Sequence, residues 1–93
     1  MKIICLDYDG SYTEFPELFD MIISESIGNN YKVIMTTMRY KEEADEVLKK
    51  LENRIDVYYT GRKAKGKYLL DLGIHVDLYI DDKPFWIYQD VLG

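Results

Sequence analysis

The chain has 93 residues, 47% of them apolar and 31% charged, and carries a formal net charge of −5. That length allows one modest core, and no apolar run approaches the ~18 residues of a membrane helix. The acidic balance argues against extended nucleic-acid binding, which relies on basic residues replacing counterions around phosphates.

Cys5 is the single cysteine, so no intrachain disulfide is available. With no basic, apolar leader at the N-terminus, a reducing cytoplasmic location is expected. Residues 2–7 (KIICLD) predict a first strand, apolar, β-branched and too short for a helix. It runs directly into Asp7 and Asp9. At ~4 Å and an effective dielectric of 20, two such charges repel by about 4 kcal/mol, so a compensating group is expected beside them.

Pro16 opens PELFDMIISESIG, in which Leu18, Phe19, Ile22, Ile23 and Ile27 recur at helical spacing. Gly28 suits the position just past that helix, and Asn29-Asn30 a turn. YKVIMT (31–36) predicts the second strand. KEEADEVLKKLEN (41–53) predicts a helix with Ala44, Val47, Leu48 and Leu51 on one stripe and acids in its first turn. IDVYY (55–59) is the third strand, and TGRKAKG a loop running into a helix with Tyr68, Leu69 and Leu72 inward and Gly73 at its close. VDLYI (76–80) is the fourth strand and ends at Asp81-Asp82. The aromatic tail KPFWIYQDVLG is expected to fold back as a turn or short helix.

Strand and helix therefore alternate as βαβαβαβ, and connections containing helices imply parallel strands. The expected fold is α/β, a three-layer doubly wound, Rossmann-like sheet forming one domain over residues 1–93. In such sheets ligands bind at the carboxyl ends of the strands, where strand order reverses. Asp7 and Asp9 follow strand one and Thr36 and Thr37 end strand two. Lys63, Lys65 and Lys67 follow strand three, and Asp81 and Asp82 strand four. Each strand delivers a chemically useful group to the same edge.

These stretches resemble the motifs of the haloacid dehalogenase-like superfamily of phosphatases. IICLDYDGS resembles its D-x-D-G-[ST] motif, VIMTTMR its strand ending in Thr, GRKAKGK its lysine segment and LYIDDKP its acidic fourth motif. The resemblance implies a phosphomonoester hydrolase with Asp7 as nucleophile and Asp9 as acid and base. Thr37 would bind phosphoryl oxygens and Lys65 neutralise charge, with Lys63 and Lys67 also within reach of that helix start. Gly10, Ser11, Thr37, Arg39 and Lys65 would contact the substrate. Mg2+ would be held by Asp7, Asp81, Asp82 and the backbone carbonyl of Asp9. Asp9 favours phosphoryl over carbon–halogen chemistry, because an oxygen leaving group needs a proton. No segment is long enough for a cap domain, so a capless, open site is implied, with nucleotides or polynucleotide 3′-phosphate ends among small phosphorylated substrates.

The residue types agree with that chemistry. A carboxylate can be a covalent nucleophile, phosphoryl transfer needs positioning and charge neutralisation, and clustered oxygens suit Mg2+. The alternative is a non-catalytic module, a metal-binding relative or a receiver-like phosphoacceptor acting through a protein partner. Receivers place the phosphorylated aspartate after strand three, where this chain has Tyr58-Tyr59-Thr60. Arg39 is expected either to touch substrate or to pair with Glu42 or Glu43. Cys5 reads as a small core residue, and His75 as structural or exposed. The nine tyrosines, with Phe85 and Trp86, suit either core packing of the tail or homo-oligomerisation through an aromatic surface.

Overall fold

Four parallel strands form one sheet in the computed structural model, which describes residues 1–91. Leu92 and Gly93, the end of the expected tail, lie outside the described residues. The strands are β1 (Ile3–Asp7), β2 (Lys32–Thr37), β3 (Asp56–Tyr59) and β4 (Leu78–Ile80), in the order β3-β2-β1-β4. The chain steps outward from β1 to β3 and then returns to the other side of β1. Strand order therefore reverses between β1 and β4, the position where open α/β sheets bind ligands. Leu6 pairs with Ile80 across that boundary, so Asp7 and Asp81 leave neighbouring strands at the same level.

Alternation along the strands feeds two cores. Leu6, Val33 and Met35 point to the face covered by α1 (Pro16–Gly28) and α2 (Glu46–Leu51), where they meet Phe19, Ile23, Leu48 and Leu51. Cys5 and Ile34 point to the other face and meet Leu69 of α3 (Lys65–Asp71). Each fully buried aliphatic side chain contributes about 1.5–3 kcal/mol, so the two-helix face carries more of the stability. This is the three-layer, doubly wound α/β arrangement expected.

The helices are narrower or shorter than the pattern predicts. On α1 the buried positions are Phe19, Ile23 and Ser26, while Leu18 and Ile27 face solvent. Gly28 is the last helical residue, and Asn30 supplies the left-handed step at φ 65°. The expected helix 41–53 divides. Lys41–Glu43 makes a 3-10 turn, Ala44 is extended, and Asp45 caps α2 by accepting the Leu48 N–H at 2.9 Å. Asp45 thus starts a new helix, and Val47 turns outward. Leu72 is also exposed, at the end of α3.

Two short segments complete the carboxyl edge. Tyr8–Tyr12 forms a helical turn broken at Asp9 and at Gly10, whose φ is +85°. A Cβ at Gly10 would collide with the Asp82 carboxylate, so glycine permits both the turn and the close approach. After β4, Pro84–Ile87 forms a 3-10 turn with Ile87 buried. Its carbonyl lies 2.8 Å from where a Gly66 Cβ would stand. Asp90 accepts the Ala64 N–H at 2.6 Å and the Val91 N–H donates to the Arg62 carbonyl at 2.7 Å. The tail is thereby fastened to the loop that leads into Lys65 at the start of α3. Among the described residues, no helix is long and apolar enough to cross a membrane.

Candidate functional site

The carboxyl edge gathers Asp7, Lys65, Asp81, Asp82 and Ser11. The Lys65 ammonium is 2.5 Å from Asp7 Oδ1 and 2.6 Å from Asp81 Oδ2. Ser11 Oγ donates to Asp7 Oδ2 at 3.0 Å and accepts the Asp82 N–H at 3.2 Å. The Lys83 N–H donates to Asp81 Oδ1 at 3.0 Å. One carboxylate oxygen from each of Asp7, Asp81 and Asp82 lies within 4.8 Å of the others. Register produces this meeting: β1 and β4 are neighbours, and α3 begins beside them.

Burial dominates the electrostatics. The Asp7 and Lys65 side chains are 6% and 3% exposed. Loss of solvent raises the Asp7 carboxyl to about 7; Lys65 opposes this, while Asp82 and Asp81 add to it. Burial would lower the Lys65 ammonium, but Asp7 and Asp81 outweigh it and raise it. Lys65 is therefore held charged between acids that it does not fully neutralise. Of the lysines expected near this helix start, Lys65 alone enters the site. Lys63 and Lys67 are exposed, and Lys67 pairs with Asp71 at 3.1 Å.

Asp9 has different surroundings. Its carboxylate is half-exposed and gripped by Arg39, with Nη2 at 2.7 Å from Oδ1 and Nε at 3.1 Å from Oδ2. The Thr37 hydroxyl donates to Asp9 Oδ2 at 3.2 Å. Thr36 instead points to the other face, 3.2 Å from the buried Cys5 sulfur, and burial pushes that thiol up to about 11. Strand alternation thus separates the two threonines and turns Thr37 to the site. Arg39 pairs with neither carboxylate expected of it: it takes the Glu43 carbonyl and the Asp45 carboxylate, and the Glu43 carboxylate goes to Arg62. Asp9's carboxylate also stands outside the Asp7–Asp81–Asp82 cluster.

A cavity of about 680 Å3 opens over Asp7 and Lys65. Sequence reasoning did not single out Met38, Glu43, Arg62, Lys83, Trp86 or Val91 as lining residues. Gly61 and Arg62 both adopt positive φ, 61° and 70°, and the Arg62 guanidinium carbon lies over the Tyr40 ring, 5.2 Å from its centroid. A Gly-Arg pair just before the lysine segment was the available signal.

The donor set is one that could hold a metal ion. Three carboxylates converge, two of them, Asp7 and Asp81, with buried side chains, beside a lysine that balances only part of their charge. The acidic cluster is thus a candidate metal site at the strand ends of a small α/β domain with a parallel four-stranded sheet. No protein-family model, no curated protein and no solved structure matches this chain.

Proposed function

We propose that the chain is a Mg2+-dependent phosphomonoester hydrolase working through an aspartyl-phosphate on Asp7. The observation that carries this reading is a buried carboxylate at the sheet's switch point, held 2.5 Å from Lys65 and clustered with Asp81 and Asp82. Likeness of the four motifs to haloacid dehalogenase-like phosphatases supports the same roles. Asp7, Asp81 and Asp82, with the Asp9 main-chain carbonyl, would hold the ion. Bound Mg2+ supplies Lewis-acid polarisation and neutralises charge on the phosphoryl oxygens.

An Asp7 carboxylate oxygen attacks phosphorus as the ester P–O bond breaks, and the leaving oxygen takes a proton from Asp9. A water then gives a proton to the Asp9 carboxylate and attacks phosphorus. The bond from phosphorus to the Asp7 oxygen breaks, releasing inorganic phosphate and free Asp7. Lys65 balances the charge that develops on Asp7 and the phosphoryl group, while Ser11 and Thr37 orient Asp7 and Asp9. For Asp9 to reach the leaving group, the Arg39 fork must yield, and Arg39 is then free to hold a phosphoryl oxygen.

The test is hydrolysis of a generic aryl phosphate. Turnover with Mg2+, its loss on adding chelator, and an acyl-phosphate adduct mapped to Asp7 are expected. Asp7→Asn turning over as fast as the wild type would overturn the covalent assignment. A phosphoacceptor would become labelled without multiple turnover, and a binding-only module would be stabilised by metal without hydrolysis.

A further inference from the structure

The cavity is larger than a phosphoryl group needs, and its lining is not uniform. About 680 Å3 falls inside the roughly 300–1,000 Å3 typical of small-molecule pockets. All four strand ends contribute to it: Asp9 and Gly10 follow β1, Met38 and Arg39 follow β2, Arg62 follows β3, and Lys83, Trp86 and Val91 follow β4. Trp86 is the one aromatic residue among the described residues on that lining, and it is half-buried.

Trp86 is also held in place. Phe85 packs edge-on against it, with ring centroids 4.6 Å apart and planes 61° from parallel. Ile87, next in sequence, is buried with its carbonyl against Gly66. Asp90 and Val91 tie the same segment to Ala64 and Arg62. A ring fixed before the ligand arrives loses little entropy on binding. Lys83 adds a cation, and among the described residues its ammonium has no ion-pair partner.

We propose that Trp86 is a stacking platform for the substrate's leaving group. The substrate class is then a phosphomonoester carrying a flat heterocycle, of nucleoside monophosphate size. This inference rests on the hydrolase reading and adds the recognition element to it. Stacking accepts any base, since every base has a π-face, so the site selects for the presence of a ring rather than its identity. A ring-free sugar phosphate would leave the indole uncovered. Nucleoside 3′- and 5′-phosphates share this chemistry, and separate assays of the two tell which ester position the site takes.

Trp86 is the only tryptophan in the chain, so intrinsic fluorescence reports on the cavity directly. The probes are an uncleavable pyrimidine nucleoside phosphonate and its ring-free ribose counterpart, each titrated with Mg2+. The nucleoside compound is expected to quench Trp86 at concentrations at least about tenfold below the ribose compound. In kinetics, the ratio of kcat/KM for nucleoside monophosphate over ribose phosphate should fall about tenfold or more in Trp86→Ala and be kept in Trp86→Phe. Equal quenching by the two probes overturns the proposal, as does an unchanged ratio in Trp86→Ala. So does emission that shifts with protein concentration but not with nucleoside, which would mark a self-association surface. Selective quenching without any hydrolysis would leave the stacking role standing and remove the hydrolase reading instead.

Discussion

The two ends of the sheet both pair lysine with aspartate, in opposite surroundings. At the end where the strands begin, Lys32 and Asp56 lie 3.0 Å apart with side chains 46% and 57% exposed, and Lys2 faces Asp77 at 3.8 Å. At the carboxyl end, Lys65 touches Asp7 and Asp81 with all three side chains nearly shut off from water. An exposed pair contributes about 0–1 kcal/mol. A buried one carries a desolvation penalty of several kcal/mol per ion, and apolar residues of similar volume often serve stability as well or better. Surplus negative charge beside Lys65 sharpens the contrast: one end is solvated decoration, and the other is a partly buried acidic cluster that could hold a metal ion.

The comparison breaks first at Asp7. Asp7→Asn should lower phosphatase turnover by at least about a thousandfold while the circular dichroism spectrum stays that of the wild type. Next, Lys65→Met leaves Asp7 and Asp81 facing each other without the cation that bridges them. Urea unfolding without metal should show a loss of about 3–5 kcal/mol, partly restored by saturating Mg2+. A loss as small as that at the exposed end would erase the contrast.

Asp45 gives an intermediate case, because it caps α2 and receives the Tyr8 hydroxyl and Arg39. Asp45→Ala should cost about 1–2 kcal/mol, read from the urea midpoint. Burial alone would raise its carboxyl, but the Leu48 N–H, Tyr8 and Arg39 hold it below the usual range. Asp20 is similar: Tyr12 and Arg54 outweigh burial and lower it. Folded Asp45 and Asp20 bind protons less readily than the unfolded chain. Their stabilisation is therefore full above an unfolded value of about 3.9 and fades as pH falls below it. Urea midpoints should drop on acidification below about pH 4, and less steeply in Asp45→Asn. Smallest of all, Lys32→Ala should change stability by less than about 1 kcal/mol.

The fold was legible because its signals are local. Four short apolar runs separated by amphipathic segments specify β1–β4 and α1–α3, and Asp7 and Asp81-Asp82 sit directly at strand ends. Helix boundaries were harder to read where a polar residue had two readings. Asp45 looks like a mid-helix acid in KEEADEVLKK, yet its side chain caps the Leu48 N–H. Partners distant in sequence had no local signal. Nothing in residues 36–43 shows that Arg39 would bind Asp9 rather than an acid three or four places away. Spacing alone cannot choose among Lys63, Lys65 and Lys67; the start of α3 turns only the middle one inward. Trp86 was visible as an aromatic in the tail, but its place on the cavity depends on Ile87 and Asp90 anchoring that tail to the α3 loop.

The most direct measurement is anomalous diffraction from crystals soaked in Mn2+ as a stand-in for Mg2+. One ion coordinated jointly by Asp7 and at least one of Asp81 and Asp82 is the predicted result. Saturating Mn2+ that leaves those carboxylates bare, with Lys65 still bridging Asp7 and Asp81, would contradict it.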